Sequence, residues 1–326
     1  MRYTLEDLDR MGDEAFELER DLAHLVSSPL RNQADLALAD AVILWTNMLG
    51  DVREVPTGVE ATALIVGLTA LVDQVFSGSV GVDTLTVGMH QAVHLGVDQA
   101  VGITGTTLAV GSPAPDLAPV DAAPDILDRH ETAARSMLSP ALLLAMGFAG
   151  VMSAFAEGNK AANDLGGLAT WGVNANVSLG VHHVADVMRV GRVWVPERDA
   201  CVHCAGYAGE VAETNDVFTE GLTFGEKPLR VRGLLEDPPL HPNCRCRTAP
   251  WSETMRVSSV DVPEALHREA KRSILKGWAM ESEPAEVRAR AAERLLRRGA
   301  GMPASVEQAA RRKLRRGTFR TRPFER

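Results

Sequence analysis

All four cysteines of this 326-residue chain lie between positions 201 and 246. They are arranged as Cys201-Val-His-Cys204 and, after 36 intervening residues, His241-Pro-Asn-Cys244-Arg-Cys246. Two thiols three positions apart can turn toward one point, and a second short cluster returned by the intervening loop completes the tetrahedron that zinc prefers. Five donors, Cys201, Cys204, His241, Cys244 and Cys246, compete for four positions. The spacing favours Cys201, Cys204 and Cys244, with His241 or Cys246 as the fourth. Pro242 biases His241 toward an extended backbone, and Pro238-Pro239 stiffens the approach. Arg245 and Arg247 flank the thiolates, where cations would offset the negative charge of a three- or four-sulfur site. A site filled by protein ligands leaves no position for water, so the expected zinc is structural and no catalytic residue is assigned.

Other chemistries fit these residues less well. Two disulfides are disfavoured by the N-terminus, because Met1 to Arg20 is studded with charge, has no apolar signal core and predicts a cytosolic start. A redox Cys-x-x-Cys is weakened by the second cluster, which gives those thiolates a metal to bind. The zinc-deaminase pattern fails, since no His-x-Glu precedes a Pro-Cys-x-x-Cys and Cys201 follows Ala200. His90 and His94 stand one helical turn apart without further ligands, which favours core or solvent-facing histidines. His182-His183 are adjacent and point to different sides of any regular element.

The elements that must position the cluster are mostly helices. Aromatic content is 5% while small and aliphatic residues abound, which suits close helix packing better than a sandwich of aromatic-rich strands. The predicted class is mainly α (α+β): a helical N-terminal body at 1–188, a small zinc-stapled module with short strands at 189–251, and a basic helical tail at 252–326. Leu5, Leu8, Met11, Phe16, Leu18, Leu22 and Leu25 give Thr4 to Leu49 a helical period, with a break expected at Ser28-Pro29. Helices are expected from about Val59 to Phe76 and Asp83 to Val101, then a Pro-rich linker at Gly111 to Asp125. Helix resumes near Ile126 and gives way around Gly166-Gly167 to a small-residue segment, Leu168 to Met188. Ser136 to Ala156 carries no charge. Its interrupting Ser and Pro residues and unclustered flanks favour a buried helix or helix pair over a membrane span. Val193-Trp194-Val195 reads as a short strand leading into the cysteines.

Charge is distributed unevenly. From Ser252 to Arg326 there are 18 Lys or Arg against 10 Asp or Glu, a net +8, which leaves 16 against 33, a net −17, before it. Arg311, Arg312, Lys313, Arg315 and Arg316 form the densest basic run, a candidate phosphate-binding surface. An acidic body with a basic tail suggests contact with nucleic acid or self-association of unlike ends.

Between about Arg189 and Trp251 the sequence resembles the phage Mu F-like minor head proteins, also called phage head morphogenesis proteins. The similar residues are Trp194, Asp199-Ala-Cys201-Val-His-Cys204, Gly206, Gly209 and Pro239-Leu-His241-Pro-Asn-Cys244-Arg-Cys246. Two spacings depart by one residue, between Asp199 and Cys201 and between Pro239 and His241. The resemblance implies a structural virion component near the portal that acts in capsid assembly and touches packaged DNA. Its partners would be portal and capsid or scaffold proteins, and possible oligomers. It would reside in the host cytoplasm during assembly and then inside the virion head, away from membranes. It implies no catalysis by this module. Some relatives carry an added enzymatic domain, but no Gly-x-Ser-x-Gly elbow is present and Glu281-x-Glu283 lacks the strand pattern of an ADP-ribosylating domain. The alternative is a metal-dependent nuclease-like enzyme or capsid maturation protease. A nuclease needs a second metal-binding set beside His241, and His267 is the only later histidine.

Overall fold

A computed structural model describes residues 4–77, 80–106, 117, 122–230, 234–242, 244–255 and 261–324. Most of the Pro-rich stretch at Gly111 to Asp125, and Asn243 of the second cysteine cluster, lie outside the described residues. The fold is mainly helical with one small sheet. In chain order it runs α1 (Leu5–Leu49), α2 (Gly58–Phe76), α3 (Val80–Thr104), α4 (Ala122–Met137), α5 (Pro140–Met146) and α6 (Phe148–Met188). Strands β1 (Gly191–Val195), β2 (Val211–Ala212) and β3 (Arg247–Trp251) follow, then α7 (Val262–Lys276), α8 (Ala285–Arg298) and α9 (Ala304–Arg315). The chain forms two compact units, one of Met1–Leu18, His90–Ala118 and Val173–Arg326, the other of Glu19–Met89 and Pro119–Gly172.

In the second, wholly helical unit, α2 begins with a capping box: Thr57 accepts from the Glu60 amide while the Glu60 side chain accepts from the Thr57 amide. Ala61, Leu64, Leu68, Val72 and Val75 then recur at three- and four-residue steps and form its buried face. The break expected at Ser28-Pro29 does not occur, because α1 runs through Pro29. Val26, Leu30, Ala34 and Ala37 continue one buried stripe across it. That packing outweighs the roughly 3 kcal/mol a mid-helix proline costs. The change expected at Gly166-Gly167 is also absent, and α6 continues to Met188. Leu165 and Ala169 keep its stripe buried on either side of the glycines, whose propensity cost of about 1 kcal/mol each is thereby overridden.

The uncharged stretch does form a helix pair. Ser139 caps α5 by accepting from the Leu142 amide, Pro140 occupies the first turn, and Gly147 at φ +57° turns the chain into α6. The two helices are bent by 114°. Leu138, Leu143, Val151 and Phe155 are buried, but Leu142, Leu144, Met146 and Met152 face outward, so burial covers one side only. By length and composition the helical stretch Gly58–Thr104 and this bent pair are apolar enough to cross a membrane, as core helices of a soluble bundle also can be.

The other unit carries the sheet, ordered β2-β1-β3 with both pairings antiparallel. Alternation along β1 divides its neighbours between two cores. Val193 and Val195 pack with Leu8, Ile103, Trp251, Val262 and Ile274, whereas Trp194 joins the cysteines, Tyr207, Phe218 and Leu240 on the opposite side. Within this unit α3 and α6 approach so closely that a Cβ on Gly96 would collide with the Val177 carbonyl, and one on Gly180 with the Val93 carbonyl. Helix α7 is closed at both ends, by Asp261 accepting from the Glu264 amide and by Gly277 in the left-handed region.

Candidate metal centre

Strand β1 delivers the chain to Pro196 and into a tight turn that presents the first two thiols. The Ala205 amide donates to the Cys201 carbonyl at 2.8 Å, and a single 3-10 turn at Cys204–Tyr207 follows. The second half-site arrives just before β3. There the Cys244 amide donates to the His241 carbonyl at 3.0 Å, folding the histidine back beside the cysteine. Pairing of β3 with β1, Val195 opposite Arg247, then fixes the two half-sites against each other.

The five donors converge. His241 Nε2 lies 3.1 Å from Cys201 Sγ and 3.2 Å from Cys204 Sγ, and Cys204 Sγ lies 3.4 Å from Cys244 Sγ. Cys201, Cys204 and His241 form one group and Cys204, Cys244 and Cys246 another, with donor atoms in each group within 4.8 Å of one another. Cys204 is common to both, and all four cysteines are buried and free of disulfides. The cavity between them measures about 10 Å³. His241 Nδ1 is 2.6 Å from the Pro242 carbonyl, so a proton there is donated to that carbonyl, and Nε2, once deprotonated, would face the sulfurs with its lone pair. These five residues could hold a metal ion.

The electrostatics are those of thiols and an imidazole packed within hydrogen-bond reach. Hydrogen bonding from Cys204, helped by His241, lowers the Cys201 thiol to about 4 against its burial. The bond to Cys201 raises His241 to about 9. Burial alone would push Cys244 up, but bonds from Cys204 and Cys246 bring it well below the usual thiol range. Cys204, which donates to its neighbours, and Cys246, chiefly through burial, stay high. Without an ion, then, the sulfurs share protons with one another and with an imidazolium. A metal replaces those protons, and its binding is accordingly coupled to pH.

The flanking arginines both have carboxylate partners. Arg245 lines the cavity, but its guanidinium donates to Asp199 at 2.8 Å. Arg247 pairs with Glu197 and donates to the Leu8 carbonyl at 2.5 Å. Arg247 thereby braces the backbone near the cluster, as do charges from the C-terminal helical segment. Arg288 of α8 is fully buried and donates to the Ala200 carbonyl at 2.8 Å, to Ser273 Oγ at 2.7 Å and to the Trp278 carbonyl. It also pairs with Glu283 at 3.1 Å, and Glu283 accepts from the Val202 amide at 2.7 Å. Both bonds reach into the Cys201–Cys204 turn. Arg192 holds the approach to the second half-site through Asp237 at 3.1 Å and the carbonyls of Asp216 and Glu236, while His182 of α6 contacts Asp237 from the other side.

Of the other candidate residues, His90 and His94 are exposed and join no donor cluster among the described residues. In the basic run, Arg311 is engaged, donating to the Leu296 carbonyl at 3.0 Å and pairing with Glu307 at 3.7 Å. Arg312, Lys313, Arg315 and Arg316 are exposed, and Arg297 and Arg298 at the end of α8 add exposed cations outside that run.

Fold and site together define a mainly α protein whose small antiparallel sheet carries a buried Cys/His cluster able to hold a metal ion. No protein-family model, curated protein or solved structure matches the chain.

Proposed function

We propose that the chain is a phage minor head protein of the head morphogenesis type. In this reading it is a structural virion component near the portal that acts in capsid assembly and in packaging or delivery of DNA. The observation that carries it is that Asp199-Ala-Cys201-Val-His-Cys204 and His241-Pro-Asn-Cys244-Arg-Cys246, the segments of family resemblance, come together in two overlapping donor groups that share Cys204. The metal is zinc. A zinc tetrahedron with thiolates at about 2.3 Å and imidazole at about 2.0 Å has edges of roughly 3.5–3.8 Å. The separations His241–Cys201, His241–Cys204 and Cys204–Cys244, at 3.1–3.4 Å, lie just inside that, and since Cys244 falls outside the 4.8 Å group of Cys201, Cys204 and His241, it must draw closer to complete the tetrahedron. Cys201, Cys204, His241 and Cys244 supply the four ligands, and Cys246 donates a hydrogen bond to the sulfurs. With no open position the ion acts as a staple.

Two surfaces support the assembly role. The helical unit exposes Leu36, Ile43, Val59, Val66 and Leu144, the kind of apolar surface that docking on portal and capsid or scaffold proteins would cover. The exposed cations of α9 suit packaged DNA. The reading places the chain in the host cytoplasm during assembly and inside the head afterwards. Affinity purification of tagged chain from cells assembling particles should bring down portal and head proteins, and finished particles should contain the chain. Its absence from both would overturn the proposal.

A further inference from the structure

We infer that a second pocket, beside the cysteine cluster but distinct from it, binds a phosphoryl group. The pocket encloses about 430 Å³ between the Cys201–Cys204 turn, the loop after Phe224 and helix α8. Two separate segments bring cations to it, Lys227 from the loop and Arg290 and Arg294 from successive turns of α8, and the turn adds the imidazole of His203. Val202, Leu229 and Val287 line it between the charges. The loop passes His203 closely only because position 225 is glycine, where a Cβ would lie 2.9 Å from Thr223 Oγ1 and 3.3 Å from His203 Cε1.

The fold engages these cations only loosely, with Arg290 reaching both Glu226 oxygens at 3.4 Å. The one carboxylate lining the pocket, Glu226, is 54% exposed and sits 3.4 Å from Arg290 and 3.8 Å from Arg294. Formed charge-assisted bonds measure about 2.7–2.9 Å. Arg294 is anchored by one donation to the Phe224 carbonyl at 3.1 Å, and its buried Nε has no partner. Lys227 is exposed and has no ion-pair partner among the described residues. Two guanidinium groups and an ammonium approaching from different directions suit a tetrahedral group with several oxygens better than a planar carboxylate, which one guanidinium fork would satisfy. Glu226 then acts as a placeholder that the ligand displaces. The phosphoryl group can come from free phosphate or from a nucleic-acid backbone. The second source gains support from Arg297, one turn beyond Arg294, which lines a further groove with Arg311 and Arg315.

The test uses the full chain at low ionic strength with two probes, inorganic phosphate by titration calorimetry and a labelled oligothymidylate by anisotropy. Combining Arg290→Gln with Lys227→Gln, both at exposed positions, should weaken binding of at least one probe by about tenfold. Glu226→Gln should tighten it several-fold, whereas a purely structural ion pair would lose thermal stability on that change and gain no affinity. Response to phosphate identifies a small-anion site, and response to the oligonucleotide alone identifies backbone recognition. Arg312→Gln with Arg316→Gln serves as control, lowering oligonucleotide affinity through the tail and leaving phosphate binding unchanged. If neither probe's affinity responds to the Arg290/Lys227 pair or to Glu226→Gln, the inference is wrong. The readout is anion affinity, so it stands or falls independently of any role in a virion.

Discussion

Among the described residues of the unit that carries the cysteine cluster, three arginines are buried, Arg192, Arg247 and Arg288, and each donates to backbone carbonyls far away in sequence. In the wholly helical unit no described arginine is buried, and the core is Ala, Leu and Val at helical spacing. The surfaces differ in the opposite sense: of the 15 exposed large apolar side chains, 12 belong to the helical unit. One region is specified by directional bonds around a would-be ion, the other by packing that leaves apolar surface uncovered. The irregular segment 213–230 has no backbone ladder of its own, so it needs bonds to particular partners to hold one conformation. Long helices satisfy their own backbone and need only a stripe to pack.

The largest effect should come from the ion. Cys204→Ser removes the sulfur common to both donor groups and should abolish metal retention in the purified chain. It should also melt the knuckle as a separate, earlier transition in calorimetry, since structural zinc contributes on the order of 10 kcal/mol in small modules. The helical unit's transition should be unmoved. Next comes Arg288→Met, which leaves Glu283 buried without its cation and the Ala200 carbonyl without its donor. Breaking such a pair costs about 3–5 kcal/mol, read as a lower denaturant midpoint for the knuckle with metal still bound at neutral pH. Leu68→Ala should do the reverse. It empties a fully buried site in α2 at about 2–5 kcal/mol, destabilising the helical unit alone.

The smallest expected effect is electrostatic. Glu157 is buried, which would raise its carboxyl, but bonds and charges from Lys160 at 2.5 Å and His130 at 2.7 Å bring it below its ordinary 4.5. A folded value below the unfolded one contributes stability that is present above about pH 4.5 and is lost as pH falls through the folded value. The stability difference between the native chain and Glu157→Gln should therefore be constant near neutrality and shrink on acidification. A difference that grows with acid would reverse the assignment.

How much of this was legible in the sequence follows the same division. The cysteine half-sites are readable because four rare residues cluster at ligand spacing, and the start of α2 because Thr57 and Glu60 satisfy each other within one turn. Pro29 and Gly166-Gly167 misled because local propensity argues for breaks that a continuous buried stripe overrides. The pairing of Arg288 with Glu283, the latter noticed in the sequence only as part of Glu281-x-Glu283, was hidden for the opposite reason. Each is one charge among many in an Arg- and Glu-rich tail, and only the fold carries them beneath the Cys201–Cys204 turn. Arg245 and Arg247 stand beside the thiols in sequence, yet their charges go to Asp199 and Glu197.

The central claim is the metal, and elemental analysis of the purified full-length chain tests it most directly. The account predicts one zinc per chain, retained through dialysis at neutral pH and lost together with knuckle stability in Cys204→Ser. Far less than one metal per chain, with Cys204→Ser as stable as the native protein, would contradict it.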